Sequence, residues 1–321
     1  MTLFENILAA NARIRPQVPI TPLTRSNVLS AKFGCEVMLK CDHLQPTGSF
    51  KIRGATNGVL TLQPEQHVRG VTAASTGNFG QALARAGALS NVPITVYVSA
   101  STVPVKMDAI RAFGAELVII DGAPYEAERE ARAAADREGK FYLSPYNDPN
   151  VVAGQGTLGV ELIEQAPDLD AVFISVGGGG LIGGTGTAIK HLRSQTRVVG
   201  TWPENSPCML RAIEAGGIVD VVEYDTLSDG TAGAIELGSI TYPICESVID
   251  DMVTVDERQI AVAMRQIAEA DQWMVEGAAG VALAGFAKIA DRFKGGKVAI
   301  VLCGRNIAFD TFNAAVAGVA A

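Results

Sequence analysis

The sequence is poor in the residues that build metal centres. It has three histidines in 321 residues, His43, His67 and His191, far apart and with no HExxH pattern. Its five cysteines, Cys35, Cys41, Cys208, Cys245 and Cys303, form no CxxC pair, and their number is odd. These absences argue against zinc catalysis and against a disulfide framework, and they suit a reducing cytoplasm. Charged residues make up only 19%, the formal net charge is -8, and there is no run rich in Lys and Arg. Such a chain offers no broad positive field for nucleic acid or an anionic membrane. Gly, Pro or charges interrupt every apolar stretch, so none reads as a membrane span. The first eight residues lack the basic start and apolar core of a secretory signal. Any anion bound here must be held by local features.

What is present is a large apolar fraction, 48%, arranged in a regular alternation. Short runs rich in Val and Ile at residues 71–74, 94–98, 117–120, 171–176, 198–201 and 298–302 read as buried strands. Amphipathic stretches at 80–88, 104–113, 125–138, 156–164, 181–192, 207–215, 257–270 and 279–293 read as helices. Continuous apolar strands separated by helices imply α/β architecture with parallel sheets covered on both faces. Three strand–helix units fall between about residues 70 and 147, which suggests a small mobile domain. Residues 1–69 and 148–321 would then form the large domain, split in sequence by the insertion. The turn-rich segment Ser144-Pro145-Tyr146-Asn147-Asp148-Pro149 suits the return crossing. The chain ends in an Ala-rich helix with no regulatory domain in view.

In open α/β sheets, ligands sit beyond the carboxyl ends of the strands. Four segments fall at such ends or at helix starts. Gly177-Gly178-Gly179-Gly180-Leu181-Ile182-Gly183-Gly184 follows a strand and opens a helix. Its backbone N–H groups and the helix start suit one phosphate, and the alternative is a tight turn for close packing. No Lys-Ser or Lys-Thr follows, so it is not a nucleotide P-loop. In Thr47-Gly48-Ser49-Phe50-Lys51-Ile52-Arg53-Gly54-Ala55, Thr47 or Ser49 is placed to cap the next helix. A lysine in a first helical turn, buried beside Phe50, should have a depressed pKa and be able to do Schiff-base chemistry. The alternative is an ordinary surface lysine. Ser75-Thr76-Gly77-Asn78-Phe79-Gly80-Gln81 offers free N–H groups and hydroxyls for a carboxylate, or simply a helix cap. Cys303 should end a strand, as an active-site thiol or a structural one.

Together these segments resemble the fold-type II pyridoxal-phosphate enzymes, in particular the threonine/serine dehydratase and serine racemase group. The likeness runs along nearly the whole chain and includes Asp229-Gly230 and Cys303-Gly304. It implies the two-lobed, tryptophan synthase β-like fold and pyridoxal 5'-phosphate as cofactor. It implies that Lys51 bonds to the cofactor and shuttles the Cα proton, and that Phe50 packs beside the ring. Asn78 would meet the phenolic oxygen, and Gly177, Gly178, Gly179, Gly180 and Leu181 would hold the phosphate. Cys303 would face the pyridine nitrogen, and Ser75, Thr76, Gly77, Asn78 and Phe79 would bind substrate. The implied activity is β-elimination of water and ammonia from threonine, serine or a similar β-hydroxy amino acid. A homodimer is implied by the same likeness.

Several positions depart from the pattern. Trp202, before Pro203, and Cys208 stand where metal-binding members carry acidic ligands, so no Mg²⁺ or Ca²⁺ is expected, although Glu204 is near. Phe79 replaces a frequent His and points to a bulkier β-substituent such as that of phenylserine, or else to a core position. Arg305 stands in place of a small residue and points to an acidic substrate such as 3-hydroxyaspartate, or else faces solvent. Thr76 occupies the position of a second acid/base in racemases, which keeps racemisation open as a side activity.

Overall fold

Among the described residues, ten strands form two separate sheets in the computed structural model. The model describes residues 1–321 except Thr76, Val103 and Ala321, and omits the side chains of Val105 and Pro124. The strands are β1 (Leu23–Arg25), β2 (Glu36–Lys40), β3 (Val71–Ala74), β4 (Ile94–Ser99) and β5 (Glu116–Ile120). They continue with β6 (Phe141–Tyr142), β7 (Ala171–Ser175), β8 (Arg197–Pro203), β9 (Asp251–Val255) and β10 (Lys297–Val301). The six-stranded sheet has the order β1-β2-β10-β7-β8-β9, and only β1 runs antiparallel to its neighbour. The four-stranded sheet, β5-β4-β3-β6, is wholly parallel. This is the two-sheet, mainly parallel α/β architecture that the resemblance implies, with helices on the sheet faces.

Burial explains which strands were legible. Every residue of β7 is buried, as is every residue of β4, so both read as largely apolar runs. The strands missed in the sequence are β1, β2, β6 and β9. β1 and β9 are sheet edges, β6 has two residues, and β2 carries Glu36 and Lys40 at its ends. The helices Leu3–Ile14 and Asn27–Phe33 were also missed. Helix Pro149–Gln165 starts seven residues before the expected position 156, because Asp148 caps it by accepting from the N–H groups of Asn150 and Val151. The expected helix 279–293 divides into helix Gly277–Ile289 and a 3-10 turn, Ala290–Phe293.

Each sheet has its own apolar core. Around the large sheet lie Phe173, Trp202, Phe286 and Leu302, all fully buried. Around the small sheet lie Val96, Leu83 and Ile110, joined by Ile14, Ile52 and Val151 from outside the strand–helix insertion. Both sheets have a point where the chain order reverses. After β7 the chain moves outward through β8 and β9, while β10 and β2 lie on the other side. After β3 it moves through β4 to β5, while β6 returns to the opposite side. The carboxyl ends at these reversals leave crevices that no crossover covers. The two crevices open into one cleft of roughly 540 Å³.

Candidate active site

The lysine segment is built into the large sheet's crevice by its backbone. Ser49 forms an antiparallel bridge with Gly304, the Phe50 N–H donates to the Cys303 carbonyl at 2.9 Å, and the Arg305 N–H donates to the Gly48 carbonyl at 2.9 Å. Lys51 is the first residue of helix Lys51–Leu60. The expected cap by Thr47 or Ser49 is absent: Phe50 holds the N-cap position, and both hydroxyl oxygens are buried without a partner. The backbone zipper to Cys303 and Arg305 orders the turn in place of a side-chain cap. Lys51 Nζ lies in the cleft, 5.1 Å from the Phe50 ring centre and 6.0 Å from that of Phe79. Burial lowers its pKa to about 8, against the opposing pull of Cys303 and Glu276.

The helix turn behind Lys51 is clamped by charge. Arg53 forms paired contacts with Asp42 (2.6 and 2.8 Å) and with Glu161 (2.7 and 2.8 Å). Lys40 adds a contact to Glu161 at 2.6 Å, and all four side chains are fully buried. Burial alone would raise the Glu161 pKa, but Arg53 and Lys40 outweigh it and hold the carboxyl down to about 2.

The glycine run divides into two parts with different jobs. Gly177, Gly178, Gly179, Gly180 and Leu181 line the cleft at the start of helix Gly180–Leu192. Among the described residues, their five N–H groups find no acceptor within the protein. Gly179 has φ +83°, a left-handed conformation that a side chain rarely adopts. A Cβ on Gly178 would lie 2.5 Å from the Tyr146 ring, and one on Gly177 2.9 Å from Thr231 Cα. The result is a nest of donors at a helix start, fitted to one phosphate. Gly184 serves packing instead: its Cβ would lie 2.3 Å from the Val152 carbonyl, where helix Pro149–Gln165 crosses.

From the small sheet, the loop after β3 faces the same cleft. Ser75 Oγ accepts from the N–H groups of Gly77 (3.3 Å) and Gly80 (3.1 Å), so it caps helix Asn78–Ser90 and keeps its own hydrogen to donate. The N–H groups of Asn78 and Phe79 have no acceptor among the described residues. Thr76 lies outside the described residues. Phe79 is 2% exposed and packs in the small core while its ring edges the cleft. Cys303 is buried at the floor, with Sγ 3.6 Å from Ser175 Oγ, and burial pushes its pKa far up, so it stays a neutral thiol.

The structure places Arg305 and Asn78 as follows. Arg305 is exposed and does not line the cleft, so it is not placed to hold a substrate's acidic group. The Asn78 amide is bonded to Glu276 and Asn306, two cleft residues the sequence did not single out, and this leaves one of its N–H hydrogens for the cleft. Their only sequence signal is position, one opening a helix and the other following Cys303 by three residues. Trp202 is fully buried in β8, Cys208 is buried, and Glu204 lies 3.6 Å from Lys288. No group of three metal-ligating side chains occurs among the described residues. No helix among them is long and apolar enough to cross a membrane.

Residues 14–304 match the pyridoxal-phosphate dependent enzyme family. The chain belongs to that family. The five free N–H groups opposite the Lys51 amine fit its cofactor, pyridoxal phosphate: one group for the phosphate, one for the aldehyde. Among relatives, the chain is 38% identical to an L-threonine ammonia-lyase of Thermotoga maritima, covering 96% of this chain and 76% of that protein. It is 34% identical to a beta-hydroxyaspartate dehydratase of Paracoccus denitrificans, covering 96% and 97%. The structure of the processed form of threonine deaminase isoform 2 from Solanum lycopersicum superposes with a TM-score of 0.94 at 32% identity, covering 99% and 94%.

Proposed function

We propose that this protein is a pyridoxal-phosphate-dependent lyase that acts on a β-hydroxy-α-amino acid such as threonine or serine, yielding a 2-oxo acid and ammonia. The observation that carries the proposal is the meeting, in one cleft, of the Lys51 amine, the donor nest after β7 and the carboxylate-ready loop after β3. Bound pyridoxal phosphate supplies an electron sink that makes the substrate's Cα proton acidic. Lys51 would hold the cofactor through its amine and would carry the Cα proton at Nζ. Its lowered pKa suits both tasks near neutral pH. Gly177, Gly178, Gly179, Gly180 and Leu181 hold the phosphate through N–H groups. Phe50 would pack beside the ring, and Asn78 would donate to the phenolic oxygen. Cys303, a neutral thiol on the cleft floor, would be the partner of the pyridine nitrogen. Ser75 and the N–H groups after it orient the substrate carboxylate, and Thr76 is the candidate second acid/base.

Residues 70–147 form the small mobile domain in this reading, and 1–69 with 148–321 form the large cofactor-binding domain. The protein works in the cytoplasm as a homodimer, a proposal that rests on likeness to the family and on five free, buried thiols. Size-exclusion chromatography with light scattering tests the dimer. A second substrate reading, a β-carboxylated substrate, has one support: Lys106 lines the cleft, the only cation there besides Lys51 among the described residues. Ammonia release from threonine, serine, phenylserine and 3-hydroxyaspartate tests both readings. Threonine or serine should lead in kcat/KM. A lead by 3-hydroxyaspartate would transfer the assignment to the second reading, and no release from any would refute the lyase.

A further inference from the structure

A carboxylate at the start of a helix ordinarily turns back to cap it, because the free N–H groups there favour negative charge. Glu276 holds the N-cap position of helix Gly277–Ile289 and makes no such bond. Its side chain lies in the cleft instead, in a residue only 3% exposed. Burial pushes its pKa up to about 7. A carboxyl that forgoes both its cap and most of its hydration must be held by partners, and these come from both sheets.

The partners form a relay whose polarity is set at one end. The Thr47 carbonyl can only accept, so the Asn306 atom 2.9 Å from it must be the amide nitrogen. That nitrogen lies 2.6 Å from Asn78, which must therefore present its oxygen. The Asn78 amide nitrogen is thereby turned to Glu276, at 2.9 and 3.0 Å from the two carboxylate oxygens. One of its two hydrogens serves the carboxylate, and the other is left for the cleft. Two motif glycines give the relay room. A Cβ on Gly48 would lie 2.4 Å from Asn306 Oδ1, and one on Gly304 2.1 Å from Glu276 Oε1. Asn78 opens the helix after β3 of the small sheet, while Thr47, Glu276 and Asn306 belong with the large one.

We propose that Glu276 is a positioning residue: it holds the Asn78 amide with its N–H end, and not its carbonyl, toward the cofactor, and it sets the small sheet's first helix against the large sheet. The proposal rests on the reading of the cleft as a pyridoxal-phosphate lyase site. Other titratable groups facing Glu276 are Lys106, Asp229, Lys51 and Cys303. Asp229 pushes its pKa up and Lys106 pulls it down, and the two are paired at 2.7 Å. Full charge on Glu276, and hence the firmest hold on Asn78, is reached only as pH rises through about 7.

The test compares holoenzymes of wild type, Glu276→Ala, Glu276→Gln, Asn78→Ala and the Asn78→Ala/Glu276→Ala double variant. The readouts are kcat, KM, the absorption band of the bound cofactor and Tm. Glu276→Ala should lower kcat by roughly 10- to 100-fold, the range for losing a hydrogen bond to a charged group, and should shift the cofactor band. The double variant should be no slower than Asn78→Ala by more than about twofold, because one residue acts through the other. Glu276→Gln, with the same shape and no charge, should recover part of kcat and lose the rise of kcat through pH 7. Multiplying losses in the double variant would overturn the proposal, as would an unshifted cofactor band in Glu276→Ala. A lower Tm with unchanged kcat would also overturn it, by assigning a structural role. Should Glu276→Ala not fold, an unaltered pH profile and spectrum in Glu276→Gln would overturn it. Failure of the underlying reading looks different: wild type itself would lack the cofactor band.

Discussion

At the scale of single residues, the chemistry depends on a lysine that is partly neutral near physiological pH. A free lysine is well under 1% neutral at pH 7.5, but a group with pKa about 8 is neutral to the extent of roughly a quarter. Replacing Lys51 with Ala should abolish the yellow cofactor band and lower turnover by at least about a thousandfold, because attachment and proton transfer are lost together. Retention of either property would refute its role. The sequence marked this lysine from its motif, but the reason for its depressed pKa is burial in the cleft more than its place in the helix. The nest makes a second prediction. Gly178→Ala would drive a methyl into the Tyr146 ring and tilt the N–H groups. Its affinity for pyridoxal phosphate should fall at least tenfold, about 1.4 kcal/mol, in a fluorescence titration, with Tm of the apoprotein little changed.

At the scale of elements, the helix that carries Lys51 is held by charges no solvent reaches. Removing one partner from a buried ion cluster leaves the others uncompensated and costs about 3–5 kcal/mol. Glu161→Ala should therefore lower Tm sharply, because Lys40 loses its carboxylate partner and Arg53 keeps only Asp42. The same group predicts acid sensitivity. Its folded pKa, about 2, lies below the ordinary 4.5, so its contribution is whole above pH 4.5 and is lost as pH falls from there toward 2. Wild type should lose stability across that window, and Glu161→Gln should show a shallower loss there in pH-dependent thermal melts. Neighbouring helices meet through small residues, which is why Gly184 resembles the nest in sequence but differs in function. Edge strands β1 and β9 escaped the sequence reading because one-sided burial leaves a mixed pattern.

At the scale of the whole molecule, the cleft is shared between two sheets, so catalysis depends on how the sheets stand to each other. Lys106 from the small sheet's side pairs with Asp229 of the 3-10 turn Asp229–Thr231, across the mouth of the cleft. The pair is partly exposed, 24% and 62%, so it contributes little to stability, about 0–1 kcal/mol. Its removal should act on closure over substrate. Lys106→Ala should raise KM a few-fold with Tm nearly unchanged, and wild-type KM should rise with salt while that of the variant does not. A change in Tm alone would count against a closing role.

The sequence by itself determined the alternating strand–helix order, the parallel central strands and the segments proposed to carry the cofactor chemistry. It could do so because fully buried strands and phosphate nests need contiguous residues of one kind. Only the tertiary structure decided that Arg305 faces away from the cleft, that Phe50 and not a hydroxyl heads the lysine helix, and that Glu276 and Asn306 grip Asn78. Those outcomes depend on side chains some 200 residues apart along the chain, brought together by the crossing of two sheets, and no local pattern encodes such a meeting.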